Sequence, residues 1–347
     1  MGENHVESAP IFIQGILPRC GTNLLFNLLR LHPDCEVPDP VWEDFSLETA
    51  DMLVDYARTT YELWARNPNW GVYEALEGEF LRSLGGGVLS FLRAHAPGRR
   101  LVTKTPSVKN LDAFFDLFPD AYLLIVVRDG RDVVESSARS FGWDRDEVTR
   151  KWAEAARTIL TFDRAHGGAG VRHTIVRYED LSQDMEGTLS PVLDFVGLDV
   201  AAYDFDAARN LPVYGSSTFR GGANQVHWEP VARTRDFKPV RRWAGWDRRQ
   251  HERFNATAGD LLPAFGYEPR AFPDRRWAWD LYARIAGAAA TLRIRSRHHI
   301  EAAFAGHQDG NGAQVRRHVP PAVLMNPSWL ANRGVWSIFF RAIIGRV

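Results

Sequence analysis

The run Ala121–Val127, AYLLIVV, constrains the fold more than any other stretch of this sequence. It has the length of a strand, and its apolar character is continuous rather than alternating. Such a strand must be covered on both faces, which is the condition of a parallel sheet between layers of helix. A second apolar run, Ile11–Leu17, leads through Pro18-Arg19-Cys20-Gly21-Thr22 into Leu24, Leu25, Leu28, Leu29 and Leu31 at helical spacing. That order predicts strand, tight loop, helix. Short strands are also expected at Leu101–Thr103 and Thr174–Arg177. Helices are expected at Asn110–Phe118, Val133–Ser140, Asp146–His166 and Asp247–Phe265, and from Phe45 to about Leu92 with a break at Asn67–Trp70. Gly85-Gly86-Gly87 reads as a turn or a close helix contact. Pro33, Pro38 and Pro40 mark one loop, and Leu211–Gly245 a longer one. Strands alternating with helices make the expected class α/β, with a central parallel sheet flanked by helices.

A strand entering a helix through a glycine-containing loop makes an anion site. The first N–H groups of the helix lack intrahelical partners, and the helix dipole favours negative charge there. Arg19 adds a cation at that point and Thr22 a hydroxyl. The spacing is not that of a nucleoside-triphosphate loop. Gly15 and Gly21 are one position too far apart, and Thr22 stands where lysine would follow the glycine. The Ala121–Val127 strand ends in Arg128, not in the carboxylate that a magnesium-dependent site needs. Phosphate charge would thus be met by a cation. Asp129 and Asp132 read as helix caps. Ser136 falls two turns into the following helix, where it and Arg128 can flank one terminal phosphate.

Composition narrows the class further. The 347 residues carry 42 basic and 43 acidic side chains, and only four of the basic ones are lysines. Net charge near zero hides an acidic body, −8 over the first 270 residues, and a basic tail, +7 from Ala271 onward. The length exceeds the roughly 250–300 residues of a single core. The expected division is a domain over 1–270 and a basic, aromatic-containing extension over 271–347. The first apolar run is too short for a signal peptide, and no apolar run reaches the roughly 18 residues of a membrane span. Cys20 and Cys35 form neither a disulfide framework nor a metal spacing, so a cytoplasmic protein is expected. No Gly-x-Ser-x-Gly elbow is present. Among the histidines, His32 reads as closing the first helix, His227 as packing beside Trp228, and His298-His299 lacks metal spacing.

Two segments carry a specific resemblance. Pro18-Arg19-Cys20-Gly21-Thr22-Asn23-Leu24-Leu25 resembles the 5′-phosphosulfate loop of sulfotransferases, and Leu123–Ser137 resembles their 3′-phosphate element. Lys104-Thr105-Pro106, Val176–Leu181 and Arg241-Arg242-Trp243 resemble further family elements in the same order. The match covers about residues 10–268. It is nearest to the bacterial branch that resembles tyrosylprotein and carbohydrate sulfotransferases. The resemblance implies a P-loop-like three-layer core, with 3′-phosphoadenosine-5′-phosphosulfate as donor, 3′-phosphoadenosine-5′-phosphate as product, and no metal. Arg19, Cys20, Gly21, Thr22 and Asn23 would cradle the phosphosulfate. Arg128 and Ser136 would hold the 3′-phosphate, with Tyr178 and Arg242 as further contacts. Cys20 and Asn23 depart from the family's usual serine and threonine, which changes side-chain bonds but not a backbone cradle. Arg19 and Lys104 would neutralise the departing phosphate.

An alcohol acceptor needs a general base. Glu36, Asp39, Glu43 and Asp44 are the candidates. Glu43 is favoured because aromatic neighbours could desolvate it and raise its pKa, with Asp44 second. The acceptor is a small molecule, sugar, lipid or peptide, and Trp42, Trp64, Trp70 and Tyr73 could line its site. The basic, aromatic tail segments Arg275-Arg276-Trp277, Arg293–Arg297 and Gly334–Val347 read first as packing on the body or on another subunit. Contact with the inner face of a membrane comes second, and nucleic acid is not expected. The rival readings are a nucleotide kinase or NTPase of the same fold, and a non-catalytic nucleotide-binding scaffold.

Overall fold

In chain order the elements are β1 (Ile11–Gly15), α1 (Thr22–Leu29), β2 (Cys35–Glu36), α2 (Ala50–Ala65), α3 (Leu76–Ala94), β3 (Arg100–Thr105), α4 (Phe114–Leu117) and β4 (Tyr122–Val127). They continue with α5 (Gly130–Phe141), α6 (Arg145–His166), β5 (His173–Arg177), α7 (Tyr178–Gln183), α8 (Met185–Val196), α9 (Phe205–Arg209) and α10 (Arg248–Ala258). This computed structural model describes residues 9–96, 98–168, 170, 172–214, 230–232 and 239–272. Of the C-terminal part it describes 284–285, 287–288, 291–292, 295–303, 313 and 317–318.

The sheet runs β2-β3-β1-β4-β5, and every pairing is parallel. All residues of β1 and β3 are buried, as are all of β4 but Tyr122. That is the double coverage the AYLLIVV run demanded. Phe12 of β1 stacks on Phe118 and meets Phe114 edge-on, while Trp152 of α6 packs by Phe254 of α10. The chain builds β2 and β3 on one side of β1, then crosses to β4 and β5 on the other. The crevice at such a reversal, beyond the carboxyl ends of the strands, is the usual ligand site of an open α/β sheet. Arg19 follows β1, Lys104 lies at the end of β3, Arg128 follows β4, and Tyr178 follows β5. All four therefore gather at one edge.

Two sequence expectations change. The proline-marked loop contains the edge strand β2, whose Cys35 pairs with Arg100. The last core helix stops at Ala258 and is followed by a turn and the single 3-10 turn Pro263–Phe265, not a continuous helix to Phe265. Of the two readings of Gly85-Gly86-Gly87 the structure takes the close helix contact: it lies inside α3, where a Cβ on Gly85 would sit 2.1 Å from the Leu117 carbonyl oxygen. Only glycine lets α3 approach α4 that closely.

The chain divides into two compact units, Met1–Ala271 and Phe272–Val347. In the second, residues 295–303 are helical. Arg275-Arg276-Trp277, Gly334–Val347 and His227 lie outside the described residues, as do Arg293 and Ile294 and most of Leu211–Lys238. Among the described residues no helix is long and apolar enough to cross a membrane.

Candidate active site

The loop after β1 is held in an unusual backbone path. Arg19 has φ 77° and Gly21 φ 109°, both in the left-handed region. For an arginine that conformation costs of order 1 kcal/mol and persists only when its surroundings enforce it. Here Arg128 Nη1 donates to the Arg19 carbonyl oxygen at 2.8 Å, tying the loop to the tip of β4. Gly21 is the N-cap of α1, so no capping side chain stands over the helix start. A Cβ on Gly21 would lie 2.2 Å from the ring of Tyr178. Cys20 is fully buried, and its thiol lies where a Cβ on Gly15 would meet it at 2.5 Å. Burial pushes that thiol up to about 11. What Cys20 offers the loop is backbone, not a side-chain ligand.

Three guanidinium groups converge beside this loop. Arg19 Nε and Arg242 Nη1 both donate to Ser136 Oγ, at 3.2 and 3.3 Å. Arg128 sits with its Cζ 4.4 Å from the Tyr178 ring centroid and 3.7 Å, nitrogen to oxygen, from Asp132. Burial, then repulsion from Arg242 and Arg128, lowers Arg19 to about 10. Burial, then Arg128, lowers Arg242 to about 10. Asn23 Oδ1, Arg128 Nε and Arg242 Nε are buried without a partner among the described residues. Unpaired buried polar atoms inside a cluster of like charges are what a polyanion would satisfy. These residues open onto a cleft of about 140 Å³, whose lining also includes the apolar side chains of Leu181, Met185 and Val213.

The turn carrying Arg242 is fixed by α5. The Asp132 carboxylate accepts from the backbone N–H of Arg241 at 2.9 Å, Arg242 at 2.6 Å and Trp243 at 3.4 Å. Burial pushes Asp132 up, against the pull of Arg128. Glu135 accepts from Trp246 Nε1 at 2.9 Å, and Arg128 Nη2 donates to the Pro239 carbonyl. Asp129 caps α5 as expected, but Asp132 anchors this turn instead.

Lys104 and Glu43 form a separate pair on the β3 side of β1. Lys104 Nζ, wholly buried, donates to Glu43 Oε1 at 2.7 Å. It lies 5.2 Å from the Trp42 ring centroid and 5.6 Å from that of Phe26. Burial lowers Lys104, and Glu43 opposes the shift. Asp44 is already occupied: it accepts from Ser46 N at 2.8 Å, from the Ser46 hydroxyl, and from Thr103 Oγ1 at 2.8 Å. Glu43 thus faces a cation as well as aromatic rings, which its sequence neighbours did not indicate. Neither Glu43 nor Lys104 belongs to the cleft wall. Because β1 lies between β3 and β4, the Arg19 loop separates the pair from Arg128.

Sequence reasoning missed Asp132 as an anchor, Phe141, whose ring centroid is 5.6 Å from Arg19 Cζ, and the cleft's apolar lining. The last was within reach. Leu189, Val192, Leu193 and Val196 have helical spacing and mark α8, which brings Met185 to the cleft. Among the described residues no group of acidic, histidine and cysteine side chains could hold a metal ion.

Comparison with known proteins adds a second line. The profile described as Sulfotransferase family matches residues 10–202. Protein-tyrosine sulfotransferase 1 of Danio rerio is 27% identical over 284 residues, which are 76% of this chain and 73% of that protein. Protein-tyrosine sulfotransferase of Drosophila melanogaster is 27% identical over 281 residues, and the match spans 76% of this chain but only 52% of that protein. Among solved structures, the sulfotransferase domain of the Synechococcus PCC 7002 olefin synthase is 26% identical. It covers 64% of this chain and 83% of its own, with a TM-score of 0.40.

Proposed function

The chain belongs to the sulfotransferase family, and from that premise we propose that it uses 3′-phosphoadenosine-5′-phosphosulfate as donor and a hydroxyl group as acceptor. The observation that carries the donor assignment is the convergence of Arg19 and Arg242 on one Ser136 hydroxyl, with Arg128 beside them. Three cations that repel one another in a half-buried site call for a ligand with clustered negative charge. Arg128, Ser136 and Arg242 would hold the 3′-phosphate. The backbone from Cys20 to Asn23, with Arg19 and the Thr22 hydroxyl, would hold the 5′-phosphosulfate at the start of α1. Tyr178 would border the site, its ring already against Gly21 and Arg128.

When bound, the donor supplies a sulfuryl group: its sulfur gains a bond to the acceptor oxygen as the bond to the 5′-phosphate oxygen breaks and leaves its electron pair there. Glu43 takes the acceptor's proton on its carboxylate. Lys104 holds Glu43 by Oε1, which leaves Oε2 for the proton. Arg19, together with Lys104, meets the charge that collects on the departing phosphate. Transfer in line, with the acceptor oxygen attacking opposite the departing phosphate oxygen, is the geometry this reading requires. The small-molecule, sugar, lipid or peptide acceptor and work in the cytoplasm remain parts of this reading. For the basic tail, packing on the body or on another subunit comes first in this reading, and contact with the inner membrane face second.

Calorimetric titration without magnesium tests the donor assignment. Binding of 3′-phosphoadenosine-5′-phosphate is expected, with adenosine 5′-phosphate much weaker. Tighter binding of ATP with magnesium would overturn it in favour of an NTPase or kinase.

A further inference from the structure

We propose that the acceptor is an uncharged alcohol or phenol carried on an apolar body, recognised by the aromatic rim around Glu43; this rests on the sulfuryl-transfer reading above. Trp42 and Phe45 flank the Glu43-Asp44 pair in sequence, and they are 41% and 50% exposed. The Trp42 ring packs edge-on to Phe26, 5.3 Å between centroids, and stands over Lys104, so it borders the Lys104–Glu43 pair. Phe45 is held at φ 50° by its N–H bond to Thr105 Oγ1, 3.0 Å. A left-handed phenylalanine with an exposed ring is unfavourable on both backbone and solvation grounds, and such positions concentrate where a ligand is met.

The segment that follows has the same character. Eight of the nine exposed large apolar side chains described before Phe272 fall between Trp42 and Phe91 in sequence, in the stretch that holds Glu43, α2 and α3. Met52, Tyr56 and Leu63 lie on one face of α2. The start of α2 is pinned beside the end of β3: Asn110 Nδ2 donates to the Leu47 carbonyl at 2.9 Å, and Lys109 Nζ to that of Glu48 at 2.6 Å.

Two other acceptor classes fit less well. Residues 45–94 contain seven acidic and four basic side chains, a net −3 that repels an acidic peptide or a polyanionic sugar. A hydroxyl-rich sugar needs several free polar partners. The polar groups around Glu43 are engaged with one another: Asp44 with Ser46 and Thr103, Thr105 with the Phe45 N–H, and Lys104 with Glu43.

The test measures transfer from labelled donor to 1-octanol, 2-naphthol, N-acetylglucosamine and an aspartate-flanked tyrosine peptide. Titration with 3′-phosphoadenosine-5′-phosphate runs in parallel. The apolar alcohols should give the highest kcat/KM. Trp42→Ala and Phe45→Ala should each raise KM for the apolar alcohol roughly tenfold, the worth of one lost ring contact. Product-nucleotide affinity should stay unchanged in both, which also reports that they fold. Preference for the peptide or the sugar, or an unchanged KM in both variants with the nucleotide still bound, overturns the acceptor class alone. Failure of the parent protein to bind the nucleotide overturns the donor reading and this inference together.

Discussion

Replacing Arg242 by methionine should make the free protein more stable and the liganded protein weaker. Arg242 has its guanidinium lowered from the ordinary arginine value to about 10, by burial first and Arg128 next. At about 1.4 kcal/mol per pH unit of displacement, that is about 3 kcal/mol against the folded, ligand-free state at neutral pH. The side chain is only half-buried, and solvent screening brings the figure to roughly 1–2 kcal/mol. Methionine keeps the aliphatic length without the charge. Ser136 retains Arg19 Nε as a donor, so no polar atom is orphaned there. A net gain of about 1 kcal/mol, or about 1–2 °C in Tm, is expected for a chain of this size. A base depressed in the folded state destabilises it wherever the group is protonated in both states. The penalty is therefore complete well below pH 10 and fades as pH rises through 10 toward the ordinary arginine value, and the Tm advantage should be smaller at pH 10.5 than at pH 7.5. Affinity for 3′-phosphoadenosine-5′-phosphate should fall roughly 10- to 100-fold, the worth of a charge-assisted hydrogen bond. Scanning fluorimetry with and without the nucleotide reads both effects. A ligand-free Tm below the parent's at pH 7.5, or an unchanged nucleotide affinity, would refute the electrostatic account of the cluster.

Glu43→Gln should lower kcat by about 10²-fold or more, with nucleotide affinity retained, because an amide keeps the bond to Lys104 but cannot take a proton; pre-steady-state transfer assays would show it. Gly21→Ala should abolish nucleotide binding, since its Cβ would meet both a positive φ and the Tyr178 ring; calorimetry reads the loss. Asp132→Asn should weaken nucleotide binding and leave Arg242→Met with little further effect, because Asp132 acts by placing the Arg242 guanidinium that the methionine removes. A double-mutant cycle on nucleotide affinity measures that coupling, and additive losses would argue against it.

Much of the fold was legible from periodicity. AYLLIVV could only be a strand covered on both faces, and the leucine spacing after Gly21 could only be a helix, so β1, α1 and β4 follow from local rules. The same rules failed where tertiary contact overrides propensity. Cys35–Glu36 becomes a strand because β3 offers an edge to pair with, and the last core helix gives way after Ala258 to a turn and a 3-10 turn. At the site, the residue types were readable and their partners were not. Lys104 looked notable as one of four lysines, yet nothing local showed that its charge is fully buried against Glu43, 61 positions earlier.

The sequence by itself determined the strand–loop–helix that meets an anion, the cation at the end of the next strand, and the acidic body with its basic tail. Spacing along a chain dictates local backbone geometry and net charge. Only the tertiary structure decided that Arg19, Arg128 and Arg242 share one cluster, that Asp132 fixes the turn bearing Arg242, and that Asp44 is occupied while Glu43 faces Lys104. Those facts are distances between residues far apart in sequence. Parallel strands bring their carboxyl ends to one edge, and no window of sequence contains that edge.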